Sequence, residues 1–331
     1  MPKHSKPRAG SKAYWPRKRA RRIYPDIHVP EFFAKTKEVV PLAFAGWKVG
    51  MTHVIMTDHS NSPTKGLTIQ KPVTIIESPS LSVCALRFYQ KTSDGLISIG
   101  EIWSPSKDSK KLLERKLGKH DVKKNFDIDS NIDKISDVRL IVHTQPNKAG
   151  IGKKKPELFE LPIGGTDVKK KIEYAKSVLG KEISAKDVFQ PGEAVDVSGV
   201  TTGRGFTGPV KRFGIKIQGR KDEQHHRHAG TKGQERPGKM RWQVPMPGQY
   251  GFFRRTELNK RILVIDNDPT KVIPKGGFLN YGVVKGDYII IEGSVVGPTK
   301  RLVMIRKAIR SSGKPRPVEI KYISQESKQG V

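Results

Sequence analysis

From Val40 onward the chain reads as short apolar runs broken by Gly and Pro, among them Ala43-Phe-Ala-Gly-Trp-Lys-Val49, His53-Val-Ile-Met56 and Val73-Thr-Ile-Ile76. Their β-branched content and spacing predict strands of a small antiparallel barrel. Leu81 to Tyr89 reads as one more buried strand. Residues 105–184 then alternate in type. Ser106 to Gly118 predicts a helix, with Ser106 as N-cap and Leu112, Leu113 and Leu117 on one face. Arg139 to His143 predicts a strand, and Thr166 to Gly180 a second helix capped by Thr166 and stopped by Gly180. Strand patterning returns at Ala194–Ser198, lapses into a long polar stretch to about Lys260, and resumes at Arg261–Ile265, Tyr288–Ile291 and Leu302–Lys307. Gly276-Gly277, Lys285-Gly-Asp287 and Gly297-Pro298 supply turns, no fixed-period repeat is present, and the last dozen residues read as a frayed tail.

The fold class expected is mainly β with an α+β insertion. Its parts are a basic N-terminal extension (1–40), a discontinuous barrel (41–104 and 185–310), the insertion (105–184), an extended finger within the barrel (200–260) and a C-terminal tail (311–331).

Charge sharpens the picture. The 331 residues hold 63 Lys and Arg against 32 Asp and Glu, a net charge of +31. So large an excess repels itself in a compact state and calls for a polyanion, because each phosphate neutralised releases counterions. A membrane surface is disfavoured: no run of ~18 apolar residues, basic amphipathic helix, lipidation signal or signal-peptide core stands out. The single cysteine, Cys84, excludes a disulfide framework and a Cys-rich zinc site, reads as a small core residue, and implies an intracellular protein. In the first 30 residues nine cations precede the first acid, Asp26, with Tyr14 and Trp15 among them. That composition cannot order itself by apolar burial, and it favours an arm that orders on RNA over a solvated tail.

Residues 200–261 carry fifteen Lys and Arg against four acids, a local net of +11, with recurrent glycine and no clusters of large aliphatics. A structureless segment this long inside a domain is unusual. Glycines let backbone N–H groups approach phosphates, and the rings of Phe206, Phe213, Trp242, Tyr250, Phe252 and Phe253 can stack on unpaired bases. Three enzyme-like features weigh little. Gly203-Arg-Gly-Phe-Thr-Gly208 fits a dinucleotide-binding loop, but Pro209 follows it and no apolar-periodic helix or parallel βαβ context is evident. His225-His226-Arg227-His228 lacks the further ligands a zinc site needs, so no metal is expected. Asp222-Glu223 is expected to pair with Arg220 and Lys221 rather than act as an acid/base pair.

Phe189, Asp196, Gly199, Thr201 and the run Gly203–Gly208 through Arg212 resemble the signature of the universal ribosomal protein L-three family. Lys6-Pro-Arg-Ala-Gly-Ser11, Gly46-Trp-Lys-Val-Gly-Met51, Gly248-Gln-Tyr-Gly251, Arg255-Thr-Glu-Leu-Asn259 and Gly276-Gly-Phe-Leu-Asn-Tyr-Gly282 resemble its archaeal and eukaryotic branch. The resemblance implies a six-stranded barrel like that of translation factors, an α+β insertion and two extensions penetrating large-subunit rRNA. It implies a cytoplasmic, large-subunit location, binding of 23S-type rRNA near its 3′ end, a nucleating role in assembly, and a central extension (about 205–255) reaching toward the peptidyl transferase centre. Neighbours would be the proteins L-fourteen and L-twenty-four-e; no cofactor or small-molecule substrate is implied. The residues expected to meet rRNA are Lys3, Lys6, Arg8, Lys12, Trp15, Arg17, Lys18, Arg19, Arg21 and Arg22 of the arm. In the finger they are Arg204, Lys211, Arg212, Lys216, Arg220, Lys221, His225, His226, Arg227, His228, Lys232, Gln234, Arg236, Lys239, Arg241, Trp242, Arg254, Arg255, Lys260 and Arg261. One departure stands out. Many relatives carry Trp at the finger tip, where this chain has Glu235, with Trp242 seven residues on. The tip Gly233–Lys239 resembles instead the bacterial form, in which a Gln is methylated, and Gln234 is the nearest candidate. A basic architectural DNA-binding protein is the alternative, disfavoured because no recognition helix rich in base-reading residues is visible.

Overall fold

The computed structural model describes residues 10–34, 36, 38–104, 113–114, 116–118, 126–236, 238–311 and 315–327. The chain divides into two units, one formed by Met1–Ile23 with Val200–Arg255 and the other by Tyr24–Gly199 with Thr256–Val331.

The second unit is built on β1 (Ala43–Thr57), β2 (Thr68–Glu77), β8 (Ala194–Val200), β11 (Arg254–Asp266), β12 (Tyr288–Glu292) and β13 (Leu302–Lys307). Their neighbours run β13-β8-β11-β12-β2-β1, and β1 pairs back onto β13, so the path of pairings returns to its start. The two apolar runs 43–49 and 53–56 are one 15-residue strand. Its first half pairs with β13 (Phe44 with Ile305), and its length runs against β2 with a bulge at Lys48/Gly50. On these strands Phe44, Ile75, Ile76, Val197, Ile289 and Ile305 are wholly buried, and consecutive Ile75 and Ile76 show that β2 is covered on both faces. Removing packed side chains of this size costs ~2–5 kcal/mol each.

A second sheet holds β3 (Leu81–Thr92), β4 (Gly95–Trp103), β5 (Asp137–His143) and β6 (Leu158–Pro162) in the order β4-β3-β5-β6, with β7 (Glu182–Ile183) beside β3. This corrects the assignment of residues 81–103 to the barrel segment. β3 is buried along nearly its whole length, so its apolar run shows a central strand without showing of which sheet. Ahead of these strands lies a four-residue helix, α1 (Glu31–Ala34). Helix α2 (Val168–Val178) buries Ile172 and Ala175. Its cap is Asp167, whose side chain accepts from Lys169 N–H at 2.9 Å, rather than the expected Thr166; Gly180, at φ +80°, takes the stop position. Of the other predicted helix, Ser106 and Leu112 lie outside the described residues, while Leu113 is buried.

The C-terminal residues also differ from the frayed tail expected. β14 (Ile320–Ile323) pairs with Val54–Met56 of β1, and Ser324 is buried. Pairing gives this short polar-flanked strand a partner that its own periodicity could not announce.

Two buried carboxylates tie loops to the ring. Glu77 accepts from Gly150 N–H (2.9 Å), Lys285 N–H (2.7 Å) and the Tyr281 hydroxyl, which fixes the Gly276–Gly282 loop. Burial first, then the Glu77 charge, pushes the Tyr281 phenol up from its ordinary value. Asp196 receives Asn259 N–H (3.0 Å) on one oxygen and the Arg306 guanidinium (3.1 Å) on the other, with side-chain exposures of 1% and 15% for the pair. Asp196→Ala strands that guanidinium, and stability should fall by ~3 kcal/mol or more, seen as a lower denaturant midpoint by circular dichroism. Cys84 lies in the core, donates to Ile141 O, and its thiol is pushed up to about 12 by burial. It stays protonated at pH 8, so a maleimide should label it only after denaturant is added; labelling of the native protein would contradict the burial.

Candidate nucleic-acid interface

The first unit is a stem with a long loop. β9 (Gly203–Thr207) pairs antiparallel with β10 (Gly248–Gly251), and helix α3 (Pro209–Phe213) follows β9 directly. The dinucleotide-like motif is therefore a strand in an antiparallel pair, which removes the parallel crossover that a pyrophosphate loop requires. The helix that follows is only five residues long, too short for the apolar-periodic helix that the sequence lacks. Gly208 precedes it, Pro209 opens its first turn, and Gly214 closes it at φ +61°. Gly251 lies at φ +70°, and a Cβ there would sit 2.1 Å from Thr202 O. Only glycine lets the two legs of the stem approach so closely.

Arg212 pins the legs together. Its Nε donates to Gln249 O (3.0 Å) and its Nη1 to Met246 O (2.8 Å). Burial draws its guanidinium down from the ordinary value. Arg17 of the arm donates to Arg212 O (3.0 Å) and lies 4.3 Å over the Phe213 ring. Trp15 stacks on Phe213 at 5.8 Å and meets Trp242 edge-on at 4.9 Å, while Ala20 N–H donates to Phe252 O. Arg255 lies over Tyr14 (4.5 Å) and Phe253 (5.0 Å). Residues 10–23 and 200–255 thus order against each other. Residues 10–23 and the stem hold together because aromatic faces and guanidinium groups stand in for the aliphatic core that composition lacks. Phe213 and Phe253 are buried and so are not free to stack on bases; Phe206 (79% exposed) and Trp242 (56%) are.

Beyond the stem, the loop presents its polar groups outward. Asp222 accepts from Gly219 N–H at 2.8 Å, and among the described residues neither it nor Glu223 forms the expected ion pair with Arg220 or Lys221. His225 and His228 face each other, Nδ1 to Nδ1 at 3.1 Å, and His226 is partly buried. Among the described residues no three His, Cys, Asp or Glu side chains gather as a metal site. Gln234, Glu235 and Trp242 are exposed.

The cations divide by environment. Residues 10–23 and 200–255 hold nineteen Lys and Arg against three acids. Lys12, Lys18, Arg19, Arg21, Lys211, Arg220, Lys221, Arg227, Lys232, Arg236, Lys239 and Arg241 are exposed with no carboxylate partner among the described residues. Arg204 is exposed over the Tyr250 ring. Arg22, Lys216 and Arg254 are exposed as well. In the second unit, by contrast, Arg87 bridges Glu101 and Glu160, Arg139 reaches Asp137 and Glu160, and Lys171 pairs with Asp137 at 3.1 Å. Lys260 and Arg261 belong there too, held by Glu257 (3.2 Å) and Glu292 (3.0 Å). Lys3, Lys6 and Arg8 lie outside the described residues. The pinning roles of Arg17, Arg212 and Tyr14 escaped sequence reasoning, since each looked like one more basic or aromatic residue in a polar run.

The fold and this distribution of charge define a basic, β-rich protein whose exposed cations without carboxylate partners gather in one unit while ion-pair networks gather in the other. The sequence matches the Ribosomal protein L3 family over residues 1–330. It is 47% identical to the Large ribosomal subunit protein uL3 of Methanothermobacter thermautotrophicus, covering the whole of both chains. It is 46% identical to that of Methanocaldococcus jannaschii over 98% of each, and 46% identical to that of Methanopyrus kandleri over 98% of this chain and 92% of the relative. The chain belongs to the ribosomal protein L3 family: it is a structural protein of the large ribosomal subunit.

Phe213→Ala should unseat the arm by removing the ring beneath Trp15 and Arg17, at a cost of ~3 kcal/mol. Tryptic cleavage after Lys18 and Arg19 is then expected to accelerate about ten-fold or more; unchanged cleavage would show that the arm is held by something else.

Proposed function

We propose that the unit formed by residues 10–23 and 200–255 is the main rRNA-binding surface of the protein, acting as a scaffold for large-subunit rRNA. The observation that carries this reading is its charge: a net +16 on 70 residues, with twelve exposed Lys and Arg that have no carboxylate partner among the described residues. Phosphates supply that neutralisation, and counterion release makes the gain cumulative. Exposed Phe206 and Trp242 give faces on which unpaired bases stack, which favours folded RNA over a regular duplex. The five-residue helix α3 is too short to serve as a recognition helix, so the DNA-binding alternative has little support.

The ring of pairings in the second unit supports reading it as the six-stranded barrel of the translation-factor type, with the second sheet as the α+β insertion. On this reading the loop 215–247 is a finger that enters rRNA near its 3′ end and extends toward the peptidyl transferase centre, helping to nucleate assembly. The proteins L-fourteen and L-twenty-four-e are its proposed neighbours. Trp15, His225, His226, His228 and Gln234 are proposed rRNA contacts alongside the exposed cations, whereas Arg17, Arg212 and Arg255 contribute by holding the unit together.

Replacing residues 215–247 with a short Gly-Ser turn tests this. The second unit should melt as before, while affinity for transcribed large-subunit rRNA falls and its salt slope drops by several units, at ~0.7–0.9 for each phosphate no longer neutralised. Unchanged rRNA affinity and normal subunit assembly with the shortened chain would refute the reading.

A further inference from the structure

A cavity of about 410 Å³ opens on the second unit, and of the residues assigned to RNA above only Arg261 lines it. Its walls carry Lys71, Arg261, Arg310 and Arg316 against Asp58 and Glu292. Glu292 holds Lys71 at 3.2 Å and Arg261 at 3.0 Å, and the Asp58 carboxylate is taken up by hydroxyl and N–H donors of its own loop. Both acids are therefore engaged. Arg310 and Arg316 are exposed, and neither guanidinium has a carboxylate partner among the described residues.

The backbone holds both arginines in place. Ala308 N–H donates to Ala194 O (3.1 Å) on the near side of Arg310. Arg316 N–H donates to Gly192 O at 3.0 Å, and Gly192 N–H donates to Ile262 O at 2.8 Å. Gly192 has φ +85°, and a Cβ there would meet Arg316 O at 2.0 Å, so glycine is needed for the C-terminal segment to seat. Pro315 and Pro317 flank Arg316 and fix its neighbours' φ. Two exposed guanidinium groups on a tied-down backbone, without a carboxylate partner among the described residues and lining a concave, solvent-open space, suit an oxyanion with several acceptor oxygens. An RNA backbone is the polyanion that suits it, because the space is open to solvent and a polymer offers successive phosphates to more than one guanidinium.

We propose that this cavity binds backbone phosphates of large-subunit rRNA through Arg310 and Arg316, as a contact distinct from the first unit; the proposal rests on the rRNA-binding reading above. The test uses the full chain, its R310A/R316A and R310K/R316K variants and the loop-shortened chain, titrated with transcribed large-subunit rRNA over a salt series. The alanine pair is expected to weaken binding about ten-fold and lower the salt slope by about 1–2, with the lysine pair keeping most of the slope. The same alanine effect is expected in the loop-shortened background. An alanine pair matching the parent in affinity and slope would overturn the proposal, and so would an equal loss in both pairs accompanied by a lowered melting temperature. Inorganic phosphate shifting the Arg310 and Arg316 resonances while rRNA binding stays unchanged would assign the cavity to free phosphate and overturn it too. If the parent itself showed no salt-dependent rRNA binding, the broader functional reading would fail instead.

Discussion

Like-charge repulsion is the constraint around which the first unit is organised. A segment pair with so few acids and so little aliphatic surface has no ordinary means of holding together. What holds it is arginine turned inward. Arg212 closes the stem by donating to two carbonyls, and Arg17 caps α3 while covering Phe213. A guanidinium is weakly hydrated and planar, so it can lie against a ring or a peptide group at modest desolvation cost where an ammonium could not. The same residue type serves two ends here: a few half-buried copies keep the stem shut, and the exposed ones remain for a polyanion.

The second unit handles charge in the opposite way. On the face of its smaller sheet Arg87, Arg139 and Lys171 share Glu101, Glu160 and Asp137 in a connected network, with Tyr89 donating to Glu160. Lys148 and Ser80 grip Glu182. Burial alone would raise the Glu182 carboxyl, but these hydrogen bonds outweigh it and hold the group at about 2. The unit still carries an excess of cations, but its arginines Arg87, Arg139, Arg261 and Arg306 meet carboxylates, whereas Arg310 and Arg316 have none among the described residues.

Much of this was legible in the residues. The strands at 43–49, 73–76, 194–198, 288–291 and 302–307 announce themselves through β-branched runs, and the family signature is carried by short, fixed spacings. Sheet membership was not legible, because β3 is apolar on both faces and a period of two carries no information about which neighbour it meets. Arg254–Lys260 was read as loop because its polar residues mask a strand that leads into the ring. The arm and the loop each looked unable to fold, a sound conclusion about either in isolation. Trp15 and Phe213 are 198 positions apart, and no local pattern reports such a pairing. The family signature is partly architectural: Asp196 anchors Asn259 and Arg306 within the ring rather than touching a ligand.

The long strand β1 has a consequence for how the protein comes into being. Two of the strand's three partners, β13 and β14, are synthesised well over two hundred residues after it. Until they emerge, β1 has an open hydrogen-bonding edge beside a set of wholly apolar side chains, the condition under which nascent chains associate wrongly. The arm ahead of it waits almost as long, since Phe213 and Phe252 come some two hundred residues later. This ribosomal protein therefore spends much of its own translation with these segments waiting for distant partners, and shielding over that interval is a requirement written into its topology.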